Sequence, residues 1–481
     1  MRKSARVLVF ALLSLLGTAV LGIGAALMST LALAATTALI VPGTGTPNAN
    51  IVNDYLQHAA DRYIAPFDSS CTSTNGCKLQ GINYPASFFP LVIFPNWCRS
   101  GPNGCDTWND SVGQGVTALN TALMNELNNT SDNVVMFGYS QGGAVVSDEL
   151  GTLGKLTPDQ KARLQVVTIG NAYNPDGGLF TRLGFLPTIP ILNVSFGPAM
   201  PTNTGIPITS IGFQYDPVMY APKYWGNPFA MLNALAAFET VHGYYLTPNG
   251  NGPNDPIAYN YTTPQLEAAI TDPANQRKDS NGNVYVMIPA KSLPIADFVL
   301  SETPGALQPV VKPVVDLVSP VYKVLADLGY DWSGDPGKES YLSILPFNPI
   351  QNWPAVGVNL VTASVQGVQA FIGDLGGLTS VLKPATTKPT TTTTPTTLSA
   401  LAAAKTTPPA GTVSPAKMSA VKKVTAVGDA QTTSTVGTSP DTTSTDTKDK
   451  KTDHKKPHGK TGNGTTAGTD KNGEGSAKAA A

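Results

Sequence analysis

Apolar and polar positions follow two rhythms along this chain. Short unbroken apolar runs occur in "TALIVPGTG" from Thr37, "NVVMF" from Asn133, "LQVVTIG" from Leu164 and "ITSIGFQY" from Ile208, and they read as buried strands. Between them the spacing changes: Val112, Val116, Leu119, Leu123 and Leu127 recur at three and four residues, which puts one apolar stripe on a helix. "IVNDYLQHAADRYI" from Ile51 and "NPFAMLNALAAFETV" from Asn227 also read as helical. Strands joined by helices predict an α/β protein with a mostly parallel central sheet flanked by helices. No internal repeat is visible.

The ends of the 481-residue chain depart from this pattern. Residues 1–34 carry Arg2, Lys3 and Arg6, then an apolar run from Val7 to the small-residue site Ala32-Leu33-Ala34. They read as a signal peptide, or as an uncleaved signal anchor, because the apolar run is long enough to cross a bilayer. Residues 384–481 are Thr, Pro, Ala, Lys, Ser and Gly without one aromatic residue, and are expected to form a disordered tail. The body is therefore 35–383. The tail carries thirteen Lys against seven acids, a net +6, and the leader +3; with −1 for the whole chain, −10 remains for the body. An acidic body argues against nucleic acid as a partner. The Lys-rich tail reads as a solvated spacer or as an arm that contacts anionic cell-wall polymer or membrane lipid, and its Thr and Pro permit glycosylation.

Four cysteines, Cys71, Cys77, Cys98 and Cys105, cluster in one span that contains no histidine. In an exported chain this favours disulfides over metal, and of the three connectivities the local pairs Cys71 to Cys77 and Cys98 to Cys105 are preferred as loop staples.

"VVMFGYSQGGAVV", Val134 to Val146, carries the candidate chemistry. An apolar strand pattern, the turn Gly138-Tyr139-Ser140-Gln141-Gly142, and a run of small residues suited to a helix are the order a nucleophile elbow needs. A serine hydroxyl needs a base. Of the four histidines, His454 and His458 fall in the tail, and His58 lies on a helix upstream of Ser140. His242, in "ETVHGYY" at the end of a helical run and downstream of Ser140, is the candidate. The carboxylate should lie between them at a strand end: Asp216 in "GFQYDPV" fits, and its rival Asp176 sits in the ordinary turn "NPDGG". Oxyanion donors are expected from the backbone of Gln141 and from the early loop "PGTGTP", at Thr44 or Gly45.

Taken together, Gly43 to Gly45, "VVMFGYSQG", "FQYD", "NALAAFETVHG" and "VLADLGYDW" make the stretch from about Thr37 to Trp332 resemble the PE-PPE C-terminal domain, a cutinase-related α/β-hydrolase family. The resemblance implies an α/β-hydrolase fold and a serine esterase acting on acyl esters or lipids, with Ser140, Asp216 and His242 as the matching triad. No cofactor and no metal are expected. The helical PE or PPE segment that gives the family its name has no counterpart among these motifs, and residues 1–34 are expected to act as an export signal. Three functions follow as expectations: an exported ester hydrolase, an acyltransferase that passes the same acyl group to trehalose or another envelope sugar, and a non-catalytic envelope-binding protein. The run "PVMYAPKYWGNPFAMLNALAAF" between Asp216 and His242 is expected to line an acyl pocket, form a lid, or pack the core.

Overall fold

The computed structural model describes residues 35–91, 98, 105–246 and 257–381. The leader expected at 1–34 and the tail expected at 384–481 lie outside the described residues. Seven strands form one sheet: β1 (Thr36–Val41), β2 (Lys78–Gly81), β3 (Asn133–Tyr139), β4 (Leu164–Ile169), β5 (Ile208–Phe213), β6 (Gln276–Lys278) and β7 (Val284–Ile288). Their order is β2-β1-β3-β4-β5-β7-β6, with every neighbouring pair parallel except β6 and β7.

The principal helices are α1 (Tyr55–Ala59), α2 (Trp108–Asn129), α3 (Gln141–Thr152), α4 (Pro228–Thr240), α5 (Thr263–Thr271), α6 (Pro294–Glu302), α7 (Gln308–Asp327) and α8 (Trp353–Val381). The sheet with helices on both faces is the expected α/β-hydrolase arrangement. Strand alternation sorts the core: Val135, Phe137 and Tyr139 of β3 face one cluster, and Val134 and Met136 face the other. The first cluster is covered by α1 and α5, the second by α2 and α3. On α2 the predicted stripe is the inner face, and Thr107 caps the helix by accepting from the Asp110 N–H.

Register decides where the site lies. Val41 pairs with Gly138, Tyr139 with Ile169, and Ile169 with Ile211, so the strand ends coincide. The loop from Pro42, the residue Ser140 and the turn at Asp216 therefore emerge at one edge of the sheet, as ligand sites in open α/β sheets do. The helical reading of 51–64 holds with one irregularity: α1 gives way to a π turn at Ala60–Ile64. That turn sends Arg62 Nη1 and the Tyr63 hydroxyl to the Tyr245 carbonyl, each at 3.1 Å. A third, smaller cluster of Tyr215, Ala230, Leu293 and Tyr330 ties α4, α6 and α7 to the sheet. Both preferred disulfides are present, Cys71 to Cys77 and Cys98 to Cys105.

Candidate active site

Ser140 occupies the turn between β3 and α3 with φ 54° and ψ −117°, a backbone state that is strained for any residue with a Cβ. The turn closes only because its flanking glycines lack side chains. A Cβ on Gly138 would lie 2.4 Å from the Gly142 carbonyl oxygen, and one on Gly142 would lie 2.2 Å from that of Val41. The motif is thus required by close backbone approach on both sides of the serine.

His242 stands just past the end of α4, where the sequence placed it. Its Nε2 is 2.8 Å from Ser140 Oγ, and its Nδ1 is 2.9 and 3.1 Å from the two oxygens of Asp216. Asp216 is fully buried and saturated: Oδ1 also accepts the N–H of Val218 at 2.8 Å, and Oδ2 accepts the Tyr245 hydroxyl at 2.5 Å. Burial pushes this carboxyl up, but the charge of His242 and the hydrogen bonds from His242, Tyr245 and Val218 together hold it below the ordinary carboxylate range. The rivals are elsewhere. Asp176 pairs with Arg182 at 3.3 Å, and His58 remains on α1, where burial lowers its pKa to about 4.

Two tyrosines complete the arrangement, and the sequence reading gave neither a role. The Tyr139 hydroxyl donates to the His242 carbonyl, which fixes the main chain that carries the imidazole. Tyr245 accepts the Phe213 N–H at 2.9 Å while donating to Asp216, so one phenol joins the end of β5 to the carboxylate. Burial, with the Asp216 charge behind it, raises the Tyr245 pKa well above its ordinary value and keeps it a donor. "ETVHGYY" contains Tyr245, but nothing local distinguishes it from a packing residue.

The early loop is held rigidly. Gly43 N–H donates to the Tyr55 hydroxyl at 3.4 Å, and Tyr84 donates to the Pro42 carbonyl at 2.6 Å. Gly45 N–H is committed to the Ala86 carbonyl at 2.7 Å, so of the two oxyanion donors expected in this loop the structure removes Gly45 and leaves Thr44. Gln141 opens α3, where the first N–H groups have no partner within the helix. Its buried side chain accepts from Ser111 Oγ at 3.0 Å and donates to the Ser87 carbonyl at 2.9 Å, anchoring the residue whose backbone the sequence singled out.

The run between Asp216 and His242 divides. Val218 to Ala221 pack the core, whereas α4 turns its large residues outward. An open groove of about 770 Å³ lies at the β2 edge between Ile82 to Pro85 and the outer face of α2, and no residue of the Ser140 cluster lines it. Among the described residues no group of three His, Cys, Asp or Glu could hold a metal ion.

Residues 75–331, more than half of the chain, match the PE-PPE domain. Relatives from Mycobacterium tuberculosis (strain ATCC 25618 / H37Rv) include Esterase PE16, 31% identical over 329 residues that make up 67% of this chain and 54% of that protein. The PE family protein PE3 of the same strain is 31% identical over 73% of this chain and 66% of its own length. The chain spans about half to two thirds of the length of these curated relatives. Among solved structures, a cutinase-like protein from Cryptococcus sp. aligns at 16% identity over 39% of this chain and 79% of its own, with a TM-score of 0.26. An acetyl xylan esterase aligns at 18% identity over 30% and 65%, with a TM-score of 0.22. Through the match at 75–331 the chain belongs to the PE-PPE domain family.

Proposed function

We propose that the protein is a serine carboxylic ester hydrolase acting on acyl esters or lipids. The observation that carries this reading is the continuous chain of hydrogen bonds from Ser140 Oγ through His242 to the buried Asp216. His242 Nε2 takes the Ser140 proton as Oγ attacks the ester carbonyl; the C–O bond to the alcohol then breaks, and the imidazolium returns the proton to the leaving oxygen. Water, deprotonated by the same nitrogen, releases the acid and frees Oγ. Asp216 fixes the tautomer that leaves Nε2 unprotonated and stabilises the imidazolium, and Tyr245 fixes Asp216. The N–H groups of Thr44 and Gln141 take the oxyanion.

The esterase name of one relative and the strained φ of Ser140 both support the reading. Two disulfides agree with an oxidising compartment, and with residues 1–34 as an export signal they support a secreted or cell-envelope protein. The test is turnover of a series of p-nitrophenyl acyl esters by the full chain and by its Ser140→Ala variant. Turnover that disappears in the variant supports the reading, and equal turnover in both sinks it. Adding trehalose to the same assay separates hydrolysis from transfer, because transfer yields an acylated sugar in place of free acid.

A further inference from the structure

Helix α4 is built inside out. Its small residues Ala230, Ala234, Ala236 and Ala237 are buried, while Phe229, Leu232, Leu235 and Phe238 are exposed, Leu232 by 52% and Leu235 by 60%. A soluble helix normally does the reverse. The exposed row does not stop there. Phe229 meets Tyr322 of α7 edge-on at 5.3 Å, and Tyr322 continues an i, i+4 ridge through Val318, Val314 and Val310, each of these valines at least half exposed. Helix α7 in turn packs on α8, where a Cβ on Gly367 would strike the Leu317 carbonyl and where Lys312 pairs with Asp374 at 3.1 Å.

On α8 the pattern is sharper. Val356 and Ala363 are buried, and Gly367 packs on α7, whereas Val358, Val361, Val365, Val368, Ile372 and Leu375 form a second, exposed apolar stripe at three- and four-residue spacing. Such an exposed surface marks an interaction site. Three observations decide what it meets. Residues Trp353–Gly376 are by length and composition apolar enough to cross a membrane, with Asp374 as the lone charge. The positions beside the stripe, Asn359, Thr362, Ser364, Gln366 and Gln369, are uncharged, unlike the charged flanks by which helices pair with a second copy in water. The chain that follows is the segment with thirteen Lys against seven acids, a composition drawn to anionic lipid.

We propose that α4, α7 and α8 together form a face that lies on an anionic lipid bilayer, with α8 in the interfacial plane rather than across it. One side of α8 is already taken by α7, so only the outer stripe enters the lipid. Because α4 runs directly into Val241 and His242, this docking sets the mouth of the Ser140 cluster against the membrane, so that acyl esters reach it from the lipid. That last step rests on the esterase reading; the docking itself does not.

The test uses the full chain with an environment-sensitive nitrobenzoxadiazole dye on Val365→Cys and, separately, on Gln366→Cys, mixed with phosphatidylglycerol vesicles. Docking gives a blue shift and quenching by nitroxide-labelled lipid at position 365 and neither at 366. Water-like emission at 365 in the presence of vesicles overturns the proposal. A blue shift that grows with protein concentration without vesicles also overturns it, and assigns the stripe to a second copy. The orientation is read separately with the Val361→Ser, Val365→Ser, Val368→Ser triple variant. Turnover of a long-chain ester held in vesicles should fall about tenfold while turnover of a water-soluble short-chain ester stays unchanged. An equal rate on vesicles overturns the orientation, whereas no turnover of either ester by the parent chain overturns the esterase reading and leaves the dye result standing.

Discussion

The Ser140 cluster and the outer helical layer solve opposite problems. At the sheet edge, polar atoms are buried and nearly every one has a named partner: Asp216 is inaccessible yet accepts from His242, Tyr245 and Val218. In α4 and α8, rows of large apolar side chains are exposed instead of packed into a core. Burying a carboxylate costs stability and leaving valines exposed forgoes the gain of burial, and a chain keeps such features where chemistry or contact offsets them. Order at the first region and incompleteness at the second point to one molecule, with a preorganised centre and a surface that is finished by its surroundings.

The most damaging single change is expected at Asp216. Asp216→Asn should lower kcat about 10,000-fold, because an amide donates where the carboxylate accepts and selects the wrong imidazole tautomer. Steady-state kinetics with the same ester series reads this, and a loss below about tenfold would separate Asp216 from the chemistry. Gly142→Ala comes next. Its Cβ would meet the Val41 carbonyl at 2.2 Å, so a loss of more than about 3 kcal/mol in urea unfolding is expected, together with loss of activity.

Tyr245→Phe leaves the Phe213 N–H without its acceptor and removes a donor from Asp216, at about 2 kcal/mol in stability and roughly tenfold in kcat. Asp148, on α3 behind the nucleophile, has its pKa raised to about 7 by burial. Its folded-state pKa lies above the unfolded one, so its unfavourable contribution is absent below about pH 4 and grows as pH rises toward 7. Asp148→Asn should therefore raise stability by about 1–2 kcal/mol near pH 8, a figure discounted for partial exposure, and leave it unchanged near pH 4. The smallest effect is expected in the outer helical layer. Gly357 of α8 has nothing within 4 Å of an added Cβ, and Gly357→Ala should stabilise by about 0.5–1 kcal/mol, read as a small rise in Tm.

What could be read from sequence divides along the same line. Ser140 was legible because glycines at fixed spacing between a strand pattern and a helix pattern are a local signal. His242 followed because only His58 competed with it in the body, and Asp216 because a strand pattern ends beside it. Tyr139 and Tyr245 act across long sequence separations, and a buried tyrosine that donates a hydrogen bond has the same local sequence as one that only packs. Gly45 was nominated by loop composition, but its N–H turns to Ala86, a partner that only the folded loop reveals. The four-residue β2 and three-residue β6 are too short for a period to register. Helix α7 contains Pro313 and Pro320, which interrupt the helical signal although the helix continues through both. In α4 the periodicity was visible, but which face is buried was not, because its outer face is the more apolar.

The chemistry proposed for the site requires Ser140 to be an activated nucleophile. A fluorophosphonate probe tests it most directly, applied to the folded parent chain beside its Ser140→Ala and His242→Ala variants and resolved to the labelled peptide by mass spectrometry. Labelling of Ser140 in the parent that is lost in both variants is the expected result. A folded parent that stays unlabelled, or a His242→Ala variant labelled as fast as the parent, would contradict it.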